Sequence, residues 1–223
     1  MVNIFADDDM YDRITDTSVD KIWKVIEKTR KNFKLNKSIE ENFELDFVNF
    51  EFELTLVISR CNVNNPEGFN LDAASDADNN WISILIEIDP DMEPLCYNEL
   101  NLELQDDIRH EIEHLTHDGI NKVLDSPNPK EFSKLRKKLQ KEADKGNHTN
   151  SHMYYTLGDE MGPDIQGMYR KSKLSKKPMG VIINNELNKL ENKGFIDKTN
   201  REIIYKKWIE YSKQLLPHAK FDY

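Results

Sequence analysis

Every segment with strand-like patterning in this chain lies within its first 90 residues, and this confinement constrains the fold more than any other feature. Residues 43–60 alternate apolar and polar side chains and then run apolar, which predicts two strands or one long bent strand. Residues 81–89, WISILIEID, predict a further strand that ends at Asp89-Pro90. The stretch between them, 62–80, is rich in Asn, Asp and Gly and is typical of a loop.

Helical spacing governs most of the remaining chain. Residues 18–33 predict an amphipathic helix with Ser18 as its N-cap. Residues 97–118 predict a central helix with one apolar stripe. Four more helices are predicted in the second half of the chain: 129–144, 159–174, 179–192 and 198–216. The expected fold class is therefore α+β, with a small N-terminal, mostly antiparallel sheet, a backing helix, the central helix and a helical C-terminal half.

The length of 223 residues suits one generous domain or two small ones. We expect a single domain over 1–223, with an α/β part over 1–119 and a helical part over 120–223. Apolar residues make up 38% of the chain, and no run of them reaches the ~20 residues that a membrane span needs, so no membrane partner is expected. The tryptophans are expected in the core: Trp23, Trp81 and Trp208.

Charge is unevenly distributed along the chain. Residues 1–108 carry 25 acidic and nine basic side chains, a net charge of −16, whereas residues 109–223 carry 16 and 22, a net charge of +6. The acidic first half disfavours general nucleic-acid binding. The basic runs at 134–141 and 169–177 are typical of solvated helix faces. We therefore expect no nucleic-acid partner.

Two features indicate a cytoplasmic location. The N-terminal segment MVNIFADDDMYD is acidic, whereas a secretory signal is basic. Cys61 and Cys96 lie far apart in sequence and are typical of buried thiols in a reducing compartment. The oligomeric state is left open by these patterns.

The predicted central helix contains the sequence His110-Glu111-Ile112-Glu113-His114. Residues four apart on a helix share one face, so both imidazoles can meet one metal ion. Zinc is the natural occupant, because it accepts nitrogen ligands tetrahedrally and a catalytic site keeps one position for water. Glu111 adjoins the first ligand and can act as general base toward that water. The alternative is a pair of polar histidines on a solvated helix.

A catalytic zinc site needs a third protein ligand, and His117 is one candidate from the same helix. It shares a face with His110 but lies about 10 Å from it along the helix axis, which is too far to share one ion. His117 is therefore expected to lie beside the site or on the surface.

Glu160 is the better candidate for the third ligand, since it opens the helix predicted over 159–174. Asp164 follows it by one helical turn and lies on the same face. The neighbouring Gly162 and Pro163 make this helix less regular, so Asp164 or Asp159 can take the place of Glu160.

The pair of motifs His110-Glu111-x-x-His114 and Glu160-x-x-x-Asp164 resembles the gluzincin branch of the zincin metallopeptidases. In that branch the later glutamate is the third zinc ligand, and the aspartate after it hydrogen-bonds a ligating histidine, which fixes the imidazole tautomer. The resemblance implies a zinc metallopeptidase with a peptide or protein substrate. The small size and the Asn-, Lys- and Ile-rich composition are also similar to zincin-like proteins of phages, which implies the host cytoplasm or the virion.

The resemblance covers roughly residues 45–175 and implies a zincin-like fold whose edge strand binds extended substrate. The strand over 81–89 is expected to fill that role through backbone hydrogen bonds. A peptidase also needs a hydrogen-bond donor to the developing oxyanion. His152, Tyr154 and Tyr155 immediately precede the predicted ligand helix and are the candidates.

Two other functions are compatible with the same motifs. The first is a structural or interaction protein, for example of a virion, that keeps the zincin scaffold without turnover. The second is a zinc hydrolase of a non-peptide amide such as a cell-wall link. Replacement of Glu111 and a substrate panel distinguish these alternatives.

Overall fold

A computed structural model of the chain describes most of the sequence. The described residues are 4–30, 37–47, 50–116, 134–135, 137–139, 141–142, 145, 147 and 149–221. The chain forms two compact units, Met1–Thr116 and His117–Tyr223. The fold class is α+β, as predicted, and all strands among the described residues belong to the first unit. None of the described helices combines the length and apolar character required to cross a membrane.

The first unit contains two long helices and a four-stranded sheet. Helix α1 spans Ile4–Arg30 and helix α2 spans Tyr97–Thr116. The strands are β1 (Ser38–Phe47), β2 (Phe50–Arg60), β3 (Phe69–Asp76) and β4 (Trp81–Ile88). The predicted strand region 43–60 is thus two strands, and the predicted central helix is confirmed.

The strand order of the sheet is β1-β2-β4-β3. The β1–β2 and β3–β4 pairs are antiparallel and the β2–β4 pair is parallel, so the sheet is mixed with two antiparallel pairings of three. β3 occupies part of the stretch 62–80, which was predicted as a loop from its polar residues. An edge strand tolerates such polar residues at its outward positions, so they do not exclude a strand.

β4 lies inside the sheet, hydrogen-bonded to β2 on one side and to β3 on the other. The prediction that residues 81–89 pair with substrate as an edge strand is therefore wrong. A strand whose two edges are both occupied has no free backbone groups to offer a peptide. The sequence could not reveal this position, because the neighbouring strand β3 was not predicted.

One face of the sheet packs with the helices into a single buried core. Alternate residues of β4 point into this core, and all of them are fully buried: Ile82, Ile84, Ile86 and Ile88. The apolar stripe predicted on α2 joins the same core: Leu104, Ile108, Ile112 and Leu115. Burial of these faces provides the main stabilisation of the unit. Cys96 is buried and Cys61 is half-buried, and both are free thiols.

The second unit is helical within its described residues. Its helices are α3 (Ser151–Tyr154), α4 (Gly158–Ser175), α5 (Met179–Asn192) and α6 (Lys198–Leu215). The last three match their predicted bounds to within one residue. The described residues between 134 and 142 are also helical, in line with the predicted helix over 129–144. The core of this unit includes Trp208, which is 1% exposed.

A buried ion pair fixes the approach to α2. Arg60 Nη2 lies 3.1 Å from Glu93 Oε1, and Arg60 Nη1 donates to Thr29 Oγ1 at 3.1 Å. The Tyr97 hydroxyl donates to the same Glu93 oxygen at 2.8 Å. Because Thr29 lies on α1 and Arg60 on β2, this network ties both elements to the start of α2.

Tyr97 gives this network a pH dependence. Burial, the hydrogen bond to Glu93 and the Glu93 charge raise the pKa of Tyr97 from 10.0 to about 12. The folded state thus holds the phenolic proton more tightly than the unfolded chain, so this contribution to stability is complete below pH ~10 and is lost as pH rises toward ~12. Urea denaturation at pH values from 8 to 12 should show that the free energy of unfolding falls faster with pH in wild type than in Tyr97→Phe. Parallel curves would contradict the prediction.

Candidate metal centre

The two histidines of the motif converge on one turn of α2. Their Nε2 atoms are 3.0 Å apart, and the ring centroids are 4.7 Å apart. Two nitrogen ligands of a tetrahedral zinc ion, each at about 2.0–2.1 Å from the metal, are separated by about 3.3 Å. The spacing between His110 and His114 therefore suits a shared ion. Both side chains are half-buried, which differs from the alternative of two histidines on a solvated face.

The helical pattern of α2 explains why the histidines point away from the hydrophobic core. Ile108 and Ile112 are fully buried on the side of the sheet. Each histidine follows one of these isoleucines by two residues, which is a rotation of about 200° around the helix axis. The same helix thus presents an apolar stripe on one side and two imidazoles on another.

Glu111 is buried beside the first histidine, with 7% of its surface exposed. Within the part of the chain that the structure describes, its carboxylate has no hydrogen bond and no ion pair. Buried carboxylates in proteins are normally paired, because removing the charge from water is costly. An unpaired carboxylate at this position is free to accept a proton from a water molecule bound beside the imidazoles.

Glu160 lies in the first turn of α4 and is 6% exposed. Together with His110 and His114, Glu160 makes up a group of side chains that could hold a metal ion. Two imidazole nitrogens and one carboxylate oxygen are a donor set that zinc accepts in catalytic sites. The residues present therefore fit the metal that the sequence predicts.

Asp164 lies one turn after Glu160 on α4 and is half-buried. The helix runs through Pro163 without interruption, although this proline lies beyond the first turn. The roles predicted for Asp164, and for Asp159 as a substitute ligand, stay predictions. The side chain of Asp159 and the whole of His117 lie outside the described residues.

His152, one of the candidate oxyanion donors, is part of the short helix α3. Its Nδ1 atom lies 2.5 Å from Oδ1 of Asn200, a buried residue near the start of α6. This contact fixes the orientation of the half-buried ring and engages one of its two nitrogen atoms. Its role as a donor stays a prediction.

Tyr155 is the candidate donor with the most distinctive surroundings. Burial and, after it, the charge of Asp164 raise the pKa of Tyr155, with Glu186 and Glu160 adding to the shift. Its hydroxyl therefore remains protonated far above neutral pH and can donate a hydrogen bond there. The ring of Tyr154 packs edge-on against it, at a centroid distance of 5.3 Å.

Sequence reasoning missed an ion pair that overlaps the motif. Arg109 and Glu113 precede the two histidines by one residue each and form a direct salt bridge, with side-chain exposures of 2% and 3%. The available signal was the pairing of opposite charges at a spacing of four residues on a helix. Such pairs are common on exposed helix faces, so the spacing did not indicate burial.

The comparisons with known proteins add no family to this geometry. No protein-family model, no curated protein and no solved structure matches the chain. The gluzincin resemblance accordingly depends on the two sequence motifs alone.

Proposed function

We propose that this chain is a zinc-dependent metallopeptidase that hydrolyses peptide bonds. The observation that carries the proposal is the 3.0 Å approach of the His110 and His114 Nε2 atoms on one helical turn, beside the buried carboxylate of Glu111. The buried carboxylate of Glu160, which belongs to the group that could hold a metal ion, supports it as the third ligand.

Zinc, when bound by these residues, supplies a Lewis acid that polarises the scissile carbonyl and lowers the pKa of water toward ~7. Glu111 accepts the proton of the attacking water on its carboxylate and returns it to the leaving amine. Asp164 holds the tautomer of a ligating histidine, and the Tyr155 hydroxyl donates to the oxygen that becomes negative.

The substrate would pair with an edge of the sheet. β1 and β3 are the outermost strands of the described sheet, since β4 is enclosed. β3 is favoured, because α2, which carries both histidines, contacts it. An extended peptide added to this edge would be held by backbone hydrogen bonds, with side-chain selection at alternate positions.

Metal analysis tests the proposal directly. Purified wild type is expected to hold one equivalent of zinc, His110→Ala to hold none, and Glu160→Ala to bind zinc at least tenfold more weakly, because each loses one of three protein ligands. Mass-spectrometric metal analysis measures the zinc content, and competition with a chromogenic chelator measures the zinc affinity. His218→Ala, which replaces an exposed histidine near the C-terminus, is the control and should keep its zinc.

The two variants also separate the possible third ligands. If Glu160→Ala keeps full zinc affinity, the third ligand is Asp164 or Asp159, and the corresponding alanine variants identify it. If His110→Ala keeps one tightly bound zinc ion, the proposal is wrong, since its central ligand would be dispensable.

A further inference from the structure

Helix α2 carries a row of polar side chains at four-residue spacing, which we call the polar ladder: Tyr97, Asn101, Gln105, Arg109 and Glu113. The first four members contact α1. The Tyr97 ring lies under the Arg30 guanidinium at 5.8 Å, Asn101 Oδ1 accepts from Trp23 Nε1 at 2.7 Å, Gln105 Nε2 donates to Asp16 Oδ1 at 3.2 Å, and Arg109 Nε lies 3.8 Å from Asp12 Oδ1.

The ladder fixes how α1 and α2 are aligned. Residue numbers rise along α2 while those of the α1 partners fall, so the two helices are antiparallel. Each step of four residues adds a rotation of about 40°, so the row turns by about 120° around α2 from Tyr97 to Arg109, and all four residues over this length contact α1. Polar contacts require particular partners, and they therefore determine both the rotation and the axial position of α2.

The last two residues of the polar ladder, Arg109 and Glu113, adjoin the candidate metal centre. Arg109 is 1% exposed and is enclosed by the Glu113 carboxylate, by Asp12 and by the ring of Tyr11, whose centroid lies 5.1 Å from the guanidinium carbon. The two imidazoles follow directly in the sequence: His110 comes after Arg109, and His114 comes after Glu113. The ion pair thus lies on the same turn of helix as the two predicted ligands.

Stability alone does not require charged side chains at positions 109 and 113. Replacing a buried ion pair by apolar residues of similar volume is often neutral or stabilising. Apolar contacts, however, are non-directional and allow a helix to settle in a slightly different rotation. A rotation of about 20° moves an atom about 6 Å from the helix axis by about 2 Å, which equals a whole zinc–nitrogen bond length.

We propose that Arg109 and Glu113 are positioning residues of the metal centre, whose ion pair, anchored on α1 through Asp12, sets the rotation of the turn that carries His110 and His114. This inference rests on the proposed function, because only imidazoles that share an ion need placement of this accuracy. Neither residue belongs to the group of side chains that could hold the metal ion.

The test replaces the pair by apolar residues, Arg109→Met/Glu113→Leu, in the full-length protein. We expect zinc affinity to fall about 10- to 100-fold, the range seen when groups that orient metal ligands are removed. Cobalt(II) substituted for zinc is the second readout, because its visible absorption spectrum reports coordination geometry. The spectrum of the variant should be displaced from that of wild type.

The chain offers a matched control in a second buried ion pair of the first unit, Arg60–Glu93, with side-chain exposures of 4% and 7%. This pair lies at the opposite end of α2, before Tyr97. The variant Arg60→Met/Glu93→Gln removes a comparable ion pair, but the glutamine oxygen can still accept from the Tyr97 hydroxyl, so the polar ladder is kept. It should leave zinc affinity within about twofold of wild type, with an unchanged cobalt spectrum. An equal loss of affinity in this control would overturn the inference, because the effect would then be general destabilisation.

The outcomes separate this inference from the proposed function. If wild type binds neither zinc nor cobalt, the proposed function fails and the inference fails with it. If wild type binds both and Arg109→Met/Glu113→Leu binds them with the same affinity and spectrum, the inference alone is overturned. Should that variant fail to fold, Arg109→Lys keeps the charge but loses the rigid fork of donors. Weaker zinc binding by Arg109→Lys supports the inference, and unchanged binding overturns it.

Discussion

Glu111→Gln is expected to lower kcat/KM for peptide hydrolysis by at least about 100-fold while leaving zinc in place. Glutamine has the size and shape of glutamate but cannot accept the proton of the attacking water, and a general base contributes about 10²–10⁴-fold to rate. Glu111 has no partner among the described residues, so the replacement breaks no contact there. The melting temperature and zinc content should therefore stay close to those of wild type.

The measurement combines cleavage of an unfolded, fluorescence-quenched protein substrate with metal analysis of the same sample. Glu99→Gln is the matched control, since it makes the same change at an exposed position of the same helix. Its activity should equal that of wild type. Wild-type turnover by Glu111→Gln would show that the proton is taken elsewhere.

The same assay decides among the alternative functions. A wild-type protein that holds zinc and cleaves no peptide, but hydrolyses cell-wall fragments, is a hydrolase of a non-peptide amide. One that holds zinc and cleaves neither class of substrate is a scaffold, and Glu111→Gln would then leave its biological role unchanged. Zinc binding alone therefore does not establish the peptidase, which requires the loss of cleavage in Glu111→Gln.

Local patterns predicted the elements that hold the candidate site. The apolar stripe of α2 required a helix over the motif, and the spacing of His110 and His114 then placed both rings on one face. The convergence of the two Nε2 atoms follows from that geometry. Glu160 was predicted from its place at the start of a helix and from the resemblance to the gluzincins, because no local pattern connects it with a distant helix.

Errors arose where a residue has two ways to satisfy its polar group. Ser18 was predicted as an N-cap, but α1 begins at Ile4 and continues through it. The Ser18 hydroxyl donates to the carbonyl of Ile14, one turn earlier, at 2.9 Å. Serine bonds in this way inside helices as well as capping them, and the sequence alone does not distinguish the two.

The position of Trp81 shows that residue type alone can also mislead for a large apolar side chain. It was predicted in the core, but the inward positions of β4 are the even-numbered isoleucines. Trp81 therefore points to the opposite face, where its Nε1 donates to Thr55 Oγ1 at 2.9 Å. Side-chain alternation along a strand overrides the preference of tryptophan for burial. The prediction holds for Trp208, and Trp23 is half-buried against the core.

Trp208→Ala is expected to destabilise the second unit by about 3–5 kcal/mol, the usual cost of removing a buried aromatic side chain. Trp208 is 1% exposed, and its Nε1 donates to the backbone oxygen of Tyr155 at 2.7 Å. Domains are commonly stable by only about 5–15 kcal/mol, so the loss is a large part of the total. Hydrogen exchange should show reduced protection over 149–221, while α2, which belongs to a separate core, stays protected. Trp208→Phe keeps an aromatic ring but lacks the hydrogen-bond donor. It should lose less than half as much free energy of unfolding as Trp208→Ala.

The same substitution links the packing of the second unit to zinc binding. Met161, Ile165 and Met168 of α4 belong to the core around Trp208, and Glu160 precedes them on that helix. Loosening this core should therefore weaken zinc binding through Glu160. In a double-mutant cycle, Trp208→Ala should weaken binding in the wild-type background but have little further effect once Glu160→Ala has removed the ligand. Full additivity of the two losses would mean that the core around Trp208 acts on zinc binding by a route other than Glu160.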